Sequence, residues 1–519
     1  MVPKILGADV ELSNFLVGPG MPAEGTGREA SRCLLAAIDG VPGGQPQPQA
    51  IDSGRKYLPS NGSCCYLDSD HLEIALPETR SAFDHVAQWR AMLAVARAAK
   101  ARVEANLPSS VRLQVLANCS DGQGNSYGSH VNVLLTREAW DNIFYRRPHY
   151  LAYLAAFQIS SIVITGQGKV GAERHRSAVE FQLSQRADFI ETLVSVDTMV
   201  HRGVVNSRDE PLCGSPRAGA HPRLARLHVI FFDSTLCQVA TVLRAGMLQM
   251  VVAMIEAGAV NAALALDDPL DALERFSRDP ALRATARLAG GGRRTAVELQ
   301  WSFLEEAKRF SATGGFDGLV PDAGRLLALW DDTLVHLERR NFDTLSRRLD
   351  WVLKRRILES VLDRRSDLTW RSPALKHLDQ LYASLDEREG PFWALEAAGK
   401  VDRVVDAAAI ALAGREPPAD TRAWTRAHLL RLAGEARVDL VDWDRVRVRV
   451  AAARPPYARY RTVHMPEPYR DTRDENARLF AGGAPLAVVV AALRSAEWPP
   501  PTMVSVVADH WTAGTGGLQ

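Results

Sequence analysis

Acidic residues gather in two short stretches of this chain. Asp9 and Glu11 sit two apart in KILGADVEL, Lys4 to Leu12, and on a β-strand residues two apart share a face. Both carboxylates then look the same way, as a hard cation such as magnesium requires, because it takes carboxylate oxygens together with substrate phosphates. Two carboxylates alone are more often a solvated strand face. The second stretch, NGSCCYLDSDHLEIALPET from Asn61 to Thr79, packs Asp68, Asp70, His71 and Glu73 into six residues between apolar flanks. Acids and histidine form strands poorly, so this cluster reads as a site rather than as a stability device. On one unbroken strand His71 and Glu73 face one way and Asp68 the other. If all three serve one site, the chain must bulge or turn after Asp68.

Other segments add polar and cationic groups. NCSDGQGNSYGSHVN, Asn118 to Asn132, has glycines that permit close backbone approach to a ligand, though such glycines more commonly mark only a flexible loop. TGQGKVG, Thr165 to Gly171, matches a phosphate-cradling loop weakly, since no Lys-Ser or Lys-Thr pair follows. SQRAD holds Arg186 and NSRDEP holds Arg208. Arginine forks suit phosphate or carboxylate oxygens, and a surface ion pair is the alternative. His228 alternates with apolar neighbours in RLHVIF, where a lone histidine is more often a satisfied core residue.

Strands and helices must bring these groups together. Lys4 to Leu12, CCYLD, HLEIAL, VRLQVLA, HVNVLL, AVEFQLS (Ala178 to Ser184) and RLHVIFF (Arg226 to Phe232) read as strands. Phe83, Val86, Trp89, Leu93 and Ala96 fall at helical spacing in a long helix from about Ser81 to Asn106. Val239 to Ala259 is the most apolar long segment; Arg244 and Gln249 interrupt it, and it reads as a buried helix. From there the chain is mainly helical to about Val405, with Trp330, Leu334 and Leu337 on one side of one helix. PPADTRAW, Pro417 to Trp424, punctuates the next change; one helix, the strand-like VDWDRVRVRV and a short helix near Leu486 to Leu493 follow. GVPGGQPQPQ, Gly40 to Gln49, is expected to be a mobile loop, and the tail after Pro499 to be loosely ordered. Polar strands early and helices later make an α+β pattern with a functional face on an antiparallel sheet.

The 519 residues exceed what one hydrophobic core usually holds, so two domains or one decorated domain are expected. Apolar residues at 46% and charged residues at 24% are those of an ordinary globular protein. A net charge of +1 gives no bulk drive toward nucleic acid or anionic membrane. Met1 to Gly20 lacks the form of a signal peptide, and no run of about twenty apolar residues spans a bilayer. Six cysteines are scattered without a C-x-x-C pair, and adjacent Cys64 and Cys65 on a strand point to opposite faces. Reduced thiols in a cytoplasmic protein are the expectation.

Taken in order, these segments resemble one family, the ligase and depupylase enzymes of the prokaryotic ubiquitin-like protein Pup. Its members look like G-x-E-x-E-Y-G, N-G-x-x-x-Y-x-D, H-P-E-Y, K-N-N-x-D, S-Y-G-x-H-E-N, S-Q-R-A, I-I-N-T-R-D-E-P and R-L-H-V-I-x-G-D. The counterparts here are GADVEL, NGSCCYLD, HLEI, ANCSD, SYGSHVN, SQRAD, VVNSRDEP and RLHVIFFD. RLDWVLKRRILE and PPADTRAWTR extend the resemblance over nearly the whole chain. It implies a fold similar to glutamine synthetase: an antiparallel sheet cradle for ATP and magnesium over residues 1–430, a small C-terminal domain over 431–500, and a flexible tail over 501–519. By position it makes Asp9, Glu11 and Glu73 metal-holding residues. His130 and His228 lie near metal and phosphates, Asn118 is a nucleotide-site residue, Arg186 and Arg208 are phosphate-facing, and Asp68 is the catalytic aspartate. The partner implied is a Pup-like protein or peptide and its lysine conjugates.

The resemblance leaves the direction of the chemistry open. Asp68-x-x-His71, FQLSQRADFIE, RGVVNSRDEP and LPET look like the depupylase branch, whereas only 56 residues between Glu11 and Asp68 look ligase-like. The implied activity is hydrolysis of an amide or isopeptide bond at the C-terminal glutamate or glutamine of the partner. ATP-dependent isopeptide ligation and a degenerate nucleotide- or partner-binding relative are the alternatives. Leu12, Ser13, Leu72, Val131, Phe232, Gln238 and Ala383 depart from the family pattern. Val131 would remove a carboxylate from a metal position, and Phe232 would fill space open to nucleotide or substrate.

Overall fold

A computed structural model describes residues 1–20, 26–43, 52–209, 223–450 and 459–495. Its centre is an eight-stranded antiparallel sheet, and period-two alternation builds its first strand. In β1 (Leu6–Val17) Leu6, Ala8, Val10 and Leu12 are buried while Gly7, Asp9 and Glu11 are not. The strand is longer than Lys4 to Leu12 because its C-terminal half pairs with β6 (Arg112–Leu116). Its N-terminal half lies between β5 (His71–Ala75) and β7 (Ser129–Thr136). Outward from β5 come β4 (Cys64–Asp68), β3 (Asp52–Tyr57) and the short β2 (Val41–Pro42); outward from β7 comes β8 (Leu224–Val229). The order is β8-β7-β1-β5-β4-β3-β2.

The chain turns after Asp68, at Ser69 in the left-handed region (φ 52°) and Asp70. Asp68 thereby pairs with His71 and Tyr66 with Glu73, and directly opposed residues share a face. This is the turn that a common site for Asp68, His71 and Glu73 requires.

Apolar side chains of the opposite face pack under α1 (Gly27–Ala36), α2 (Ala82–Glu104) and α3 (Gln238–Glu256). Ser81 caps α2 by accepting from Phe83 N at 3.2 Å. α3 is long and apolar enough to cross a membrane, yet it is wholly buried inside the protein, as the core of this sheet–helix sandwich. Trp330, Leu334 and Leu337 are all buried along one face of the helix Ala323–Glu338. Cys64 and Cys65 do face opposite ways: Cys65 lies in the main core, Cys64 in a second apolar cluster. Among the described residues every cysteine is a free thiol.

That second cluster joins Val41, Tyr57, Cys64 and Tyr66 to Leu429, Leu430, Val441, Val446, Val463, Val489 and Val490. We propose that it delimits the C-terminal unit expected from residue 431. Its entry is pinned by Glu78, whose carboxylate meets Arg422 Nε and Arg426 Nη2, each at 2.7 Å. Burial opposes ionisation of Glu78, but the two guanidiniums outweigh it and bring its pKa down to about 2.

Several elements differ from the sequence expectation. VDWDRVRVRV is a hairpin of Val438–Asp442 and Arg445–Arg449, turning where Asp442 accepts from Trp443 N at 2.8 Å. AVEFQLS contributes only Phe181–Gln182 as strand. Downstream, the carboxylate of Asp233 draws the backbone away by accepting from Gln185 N at 2.9 Å and Arg186 N at 3.1 Å. RLHVIFF stops being strand after Val229, where the chain leaves the sheet toward α3. The segment Gly40 to Gln49 begins with the edge strand β2; from residue 44 it lies outside the described residues, as do residues 501–519.

Candidate active site

The face of the sheet opposite the helices carries the polar residues. Gly7, Asp9 and Glu11 of β1, His71 and Glu73 of β5, Tyr66 and Asp68 of β4, His130 and Asn132 of β7, and Arg226 and His228 of β8 all line one cleft of about 1440 Å³. Register explains the convergence. Glu11 is opposite Glu73, Asp9 is opposite His130, and His228 is opposite Asn132. Arg55 enters from β3, and Arg174, Arg202 and Arg208 enter from the rim. The C-terminal hairpin closes one side with Leu440, Val441 and Trp443.

Asp9 and two histidines form the first constellation. Their ligand atoms lie within 4.8 Å of one another. The Asp9 carboxylate can only accept, so its contacts fix the neighbours' orientation. Asn132 Nδ2 donates to Oδ1 at 2.5 Å and His130 Nδ1 donates to Oδ2 at 2.8 Å. The Asn132 amide oxygen is thereby turned to His228, whose Nδ1 donates to it at 2.7 Å. Both imidazoles bond these partners through Nδ1 and leave Nε2 on the other side of the ring, the arrangement in which an outer partner orients a metal-binding histidine. Burial, the charge of His130 and that of Arg226 push His228 well below the usual histidine range, so it stays neutral as a ligand must. For Asp9, burial opposes ionisation, but the bond and charge of His130 prevail and hold the carboxyl below its ordinary range.

Glu11, Glu73 and Asp68 form the second. Glu11 accepts from His71 Nδ1 at 2.9 Å and from Gly128 N at 2.7 Å. Burial opposes its ionisation, but these contacts and the His71 charge prevail and lower its pKa. Glu73 is only 3% exposed, and its Oε2 is buried without a hydrogen-bond partner. Burial, then the charges of Asp9, Glu11 and Asp68, raise its pKa well above the carboxylate range. Four carboxylates on one face, one holding an orphaned buried oxygen, fit a divalent cation with oxygen ligands.

The structure does not bring every expected site residue to the cleft. Asn118 is fully buried and ties its own loop: Nδ2 donates to Ser120 O at 2.9 Å and to Gln380 Oε1 at 2.5 Å, and Tyr127 Oη donates to Oδ1 at 2.8 Å. Arg186 is likewise buried behind the cleft, donating to Ser126 Oγ at 3.2 Å and to the Tyr127 carbonyl. Arg208 does line the cleft. TGQGKVG runs from the end of the helix Pro148–Thr165 into the short strand Lys169–Val170, and its Lys169 is taken up by Glu173 at 2.9 Å and Asp188 at 2.8 Å. The departures also fall elsewhere. Val131 alternates with His130 and Asn132 and points into the core rather than to the cleft. Phe232 packs in the same core rather than filling the cleft. Gln238 is buried and accepts from Val404 N and Val405 N, each at 3.0 Å. His71, Tyr66, Arg55, Arg202 and Arg226 face the cleft without a role assigned from sequence; period two marked His71 and Arg226 as sharing faces with Glu73 and His228.

An open antiparallel cradle with helices on one face and this acid–imidazole cleft on the other is an α+β fold. Residues 36–447 match the Pup-ligase protein family. The chain is 36% identical over 387 residues to a Pup deamidase/depupylase of Mycolicibacterium smegmatis, covering 75% of this chain and 74% of that one. It is 34% identical over 427 residues to a Pup–protein ligase of Acidimicrobium ferrooxidans, covering 81% and 88%. The fold is similar to that in the complex of the prokaryotic ubiquitin-like protein Pup with its ligase PafA, with a TM-score of 0.76, 23% identity and 99% of both chains covered. The Pup ligase PafA in complex with ADP aligns with a TM-score of 0.69 at 26% identity over 83% of this chain and 90% of that one. The chain belongs to the Pup-ligase family, whose enzymes act on C–N bonds.

Proposed function

We propose that this protein is an ATP- and magnesium-dependent enzyme acting on the C-terminal glutamate or glutamine of a Pup-like protein, hydrolysing its side-chain amide or its isopeptide bond to lysine. The observation that carries the reading is Asp68, on the same sheet face as Glu11 and Glu73 and in direct register with His71. Glu11 and Glu73, with Asp9, His130 and His228, are the residues to hold magnesium. Bound there, the ion supplies Lewis-acid neutralisation of phosphoryl oxygens. Arg208, Arg202, Arg174 and Arg226 border the cleft where phosphates need compensating charge. Asp68 then either attacks the carboxamide carbon, expelling ammonia or the lysine amine and leaving an anhydride that water hydrolyses, or takes a proton from a water that attacks the same carbon as the amine leaves.

Ligation is the second reading, favoured by the short connection of 56 residues between Glu11 and Asp68. In that direction Asp68 accepts the proton of the incoming lysine amine. Incubation with ATP, magnesium and Pup-like peptides ending in glutamine or glutamate, read by mass spectrometry, separates the two. Deamidation of the glutamine peptide supports hydrolysis, and a condensed glutamate–lysine product supports ligation. Neither product from either peptide refutes both.

A further inference from the structure

Most of the large apolar side chains exposed on this protein are scattered, as on any soluble surface. Three stand together. Val196, Met199 and Val200 are 58%, 62% and 56% exposed, and of the eight large apolar side chains exposed among the described residues no others lie so close in sequence. They occupy the connection between the strands Ile190–Ser195 and Arg202–Asn206. Met199 and Val200 border the same cleft as Glu11 and Asp68. Apolar groups kept together in water beside a site mark a surface that a partner covers.

Side-chain bonds hold this connection in place. Asp197 N donates to Ser195 Oγ at 3.0 Å, and the Asp197 carbonyl accepts from Asn206 Nδ2 at 3.2 Å. Arg202 Nε donates to the Thr198 carbonyl at 2.7 Å, and its Nη2 to the Ser126 carbonyl at 2.8 Å. His201 adopts the left-handed conformation (φ 48°), which a residue other than glycine keeps only where its surroundings hold it. Glu191 supplies part of that hold: Oε2 accepts from His201 Nδ1 at 2.9 Å, while Oε1 accepts from Arg174 Nη2 at 2.8 Å. A loop braced in this way presents its apolar side chains with little ordering cost on binding. The bracing also fixes where it stands. Gly128, two residues beyond Ser126, donates its N–H to Glu11 Oε1 at 2.7 Å, so Ser126 and Arg202 tie the apolar loop to the Glu11 end of the cleft.

We infer that Val196, Met199 and Val200 seat an apolar segment of the Pup-like partner, the one that immediately precedes its C-terminal glutamate or glutamine. A protein joined to that partner through lysine varies with the conjugate. The partner's own end is common to every substrate, and under the function proposed above it enters this cleft. A fixed apolar surface beside the cleft fits the constant chain. The inference rests on that function and has its own readout, peptide binding without turnover.

Fluorescence anisotropy with ADP and magnesium present tests it, using a labelled Pup-like peptide ending in glutamine and the same peptide with the apolar residues before its end replaced by serine. The wild type should bind the apolar peptide about 10- to 100-fold more tightly, the gain expected from covering apolar side chains that are about half exposed. Met199→Ser combined with Val200→Ser should lose that preference, its affinity for the apolar peptide falling to that for the serine peptide, while ADP affinity stays unchanged. The two sets of substitutions should therefore be non-additive, as for groups in contact. A variant that melts like the wild type and keeps the full preference overturns the inference alone, and so does a wild type that binds both peptides equally. A variant weakened by the same factor toward both peptides makes the loop a wall of the cleft rather than a seat, and also overturns it. A wild type that binds neither peptide overturns the Pup-directed function and the inference with it.

Discussion

Replacing Glu73 by Gln should have different consequences with and without magnesium. Glu73 is buried with an unpartnered Oε2, and burial together with the charges of Asp9, Glu11 and Asp68 raises its pKa. In the metal-free protein the neutral amide replaces, at nearly constant volume, a carboxyl that its surroundings already push toward the neutral form, so stability should hold. With magnesium the loss should show. A cation binding only the folded protein at 100 times its Kd stabilises by about 2.7 kcal/mol. An unfolding entropy of about 2.1 cal/mol/K per residue, taken over 519 residues, is about 1.1 kcal/mol/K, so the wild-type Tm should rise about 2–3 °C. Removing a ligand charge that weakens binding about hundredfold leaves about 0.4 kcal/mol at the same concentration, under about 0.5 °C. Scanning fluorimetry of both proteins in EDTA and in magnesium measures all four values. Equal magnesium shifts would refute the ligand assignment, and a metal-free variant weakened by several degrees would make Glu73 a structural residue.

Two further predictions concern stability. Glu78→Gln leaves Arg422 and Arg426 buried without their countercharge and should cost about 3–5 kcal/mol in urea unfolding. In the wild type, the folded pKa of Glu78 lies below its ordinary value of 4.5, so its contribution is present above pH 4.5 and is lost as pH falls toward about 2; an acid limb unchanged by the substitution contradicts this. His85 is wholly buried with neither ring nitrogen bonded, and burial, aided by Arg244, lowers its pKa from 6.5 to about 3. The folded state therefore resists a proton that the unfolded chain accepts below pH 6.5, so stability is lost as pH falls. Between pH 6.5 and 5 that amounts to about 2 kcal/mol, a slope that His85→Leu should remove from a pH series of denaturant midpoints.

Much of the site was legible because strands alternate. Asp9 with Glu11, and His71 with Glu73, share faces on spacing alone, and the turn after Asp68 followed from asking how all could meet. What spacing within one strand cannot give is register between strands. Asp9, His130 and His228 come from three segments, and only the pairing β8-β7-β1 brings them together. The same alternation, applied to His130, would have put Val131 in the core. Asn118 and Arg186 carry the residue types of a ligand site, but their partners, Gln380 on the helix Pro373–Leu381 and the Tyr127 carbonyl, become neighbours only on folding. VDWDRVRVRV read as one strand because its turn uses Trp443 and Asp444 rather than glycine or proline.

In the function proposed for this cleft, Asp68 performs the chemistry. Asp68→Asn keeps the side chain's size and removes its charge, so folding and ATP affinity should change little. A neutral amide can neither accept a proton nor attack a carbonyl, so the single-turnover rate on a Pup-like peptide should fall by about 10²-fold or more. The deciding measurement is that rate beside ATP affinity, for the wild type and the variant. Lost turnover at unchanged affinity is the result expected. Turnover within a few-fold of wild type at unchanged affinity would contradict the catalytic role, and lost ATP binding would move Asp68 to the metal-holding group.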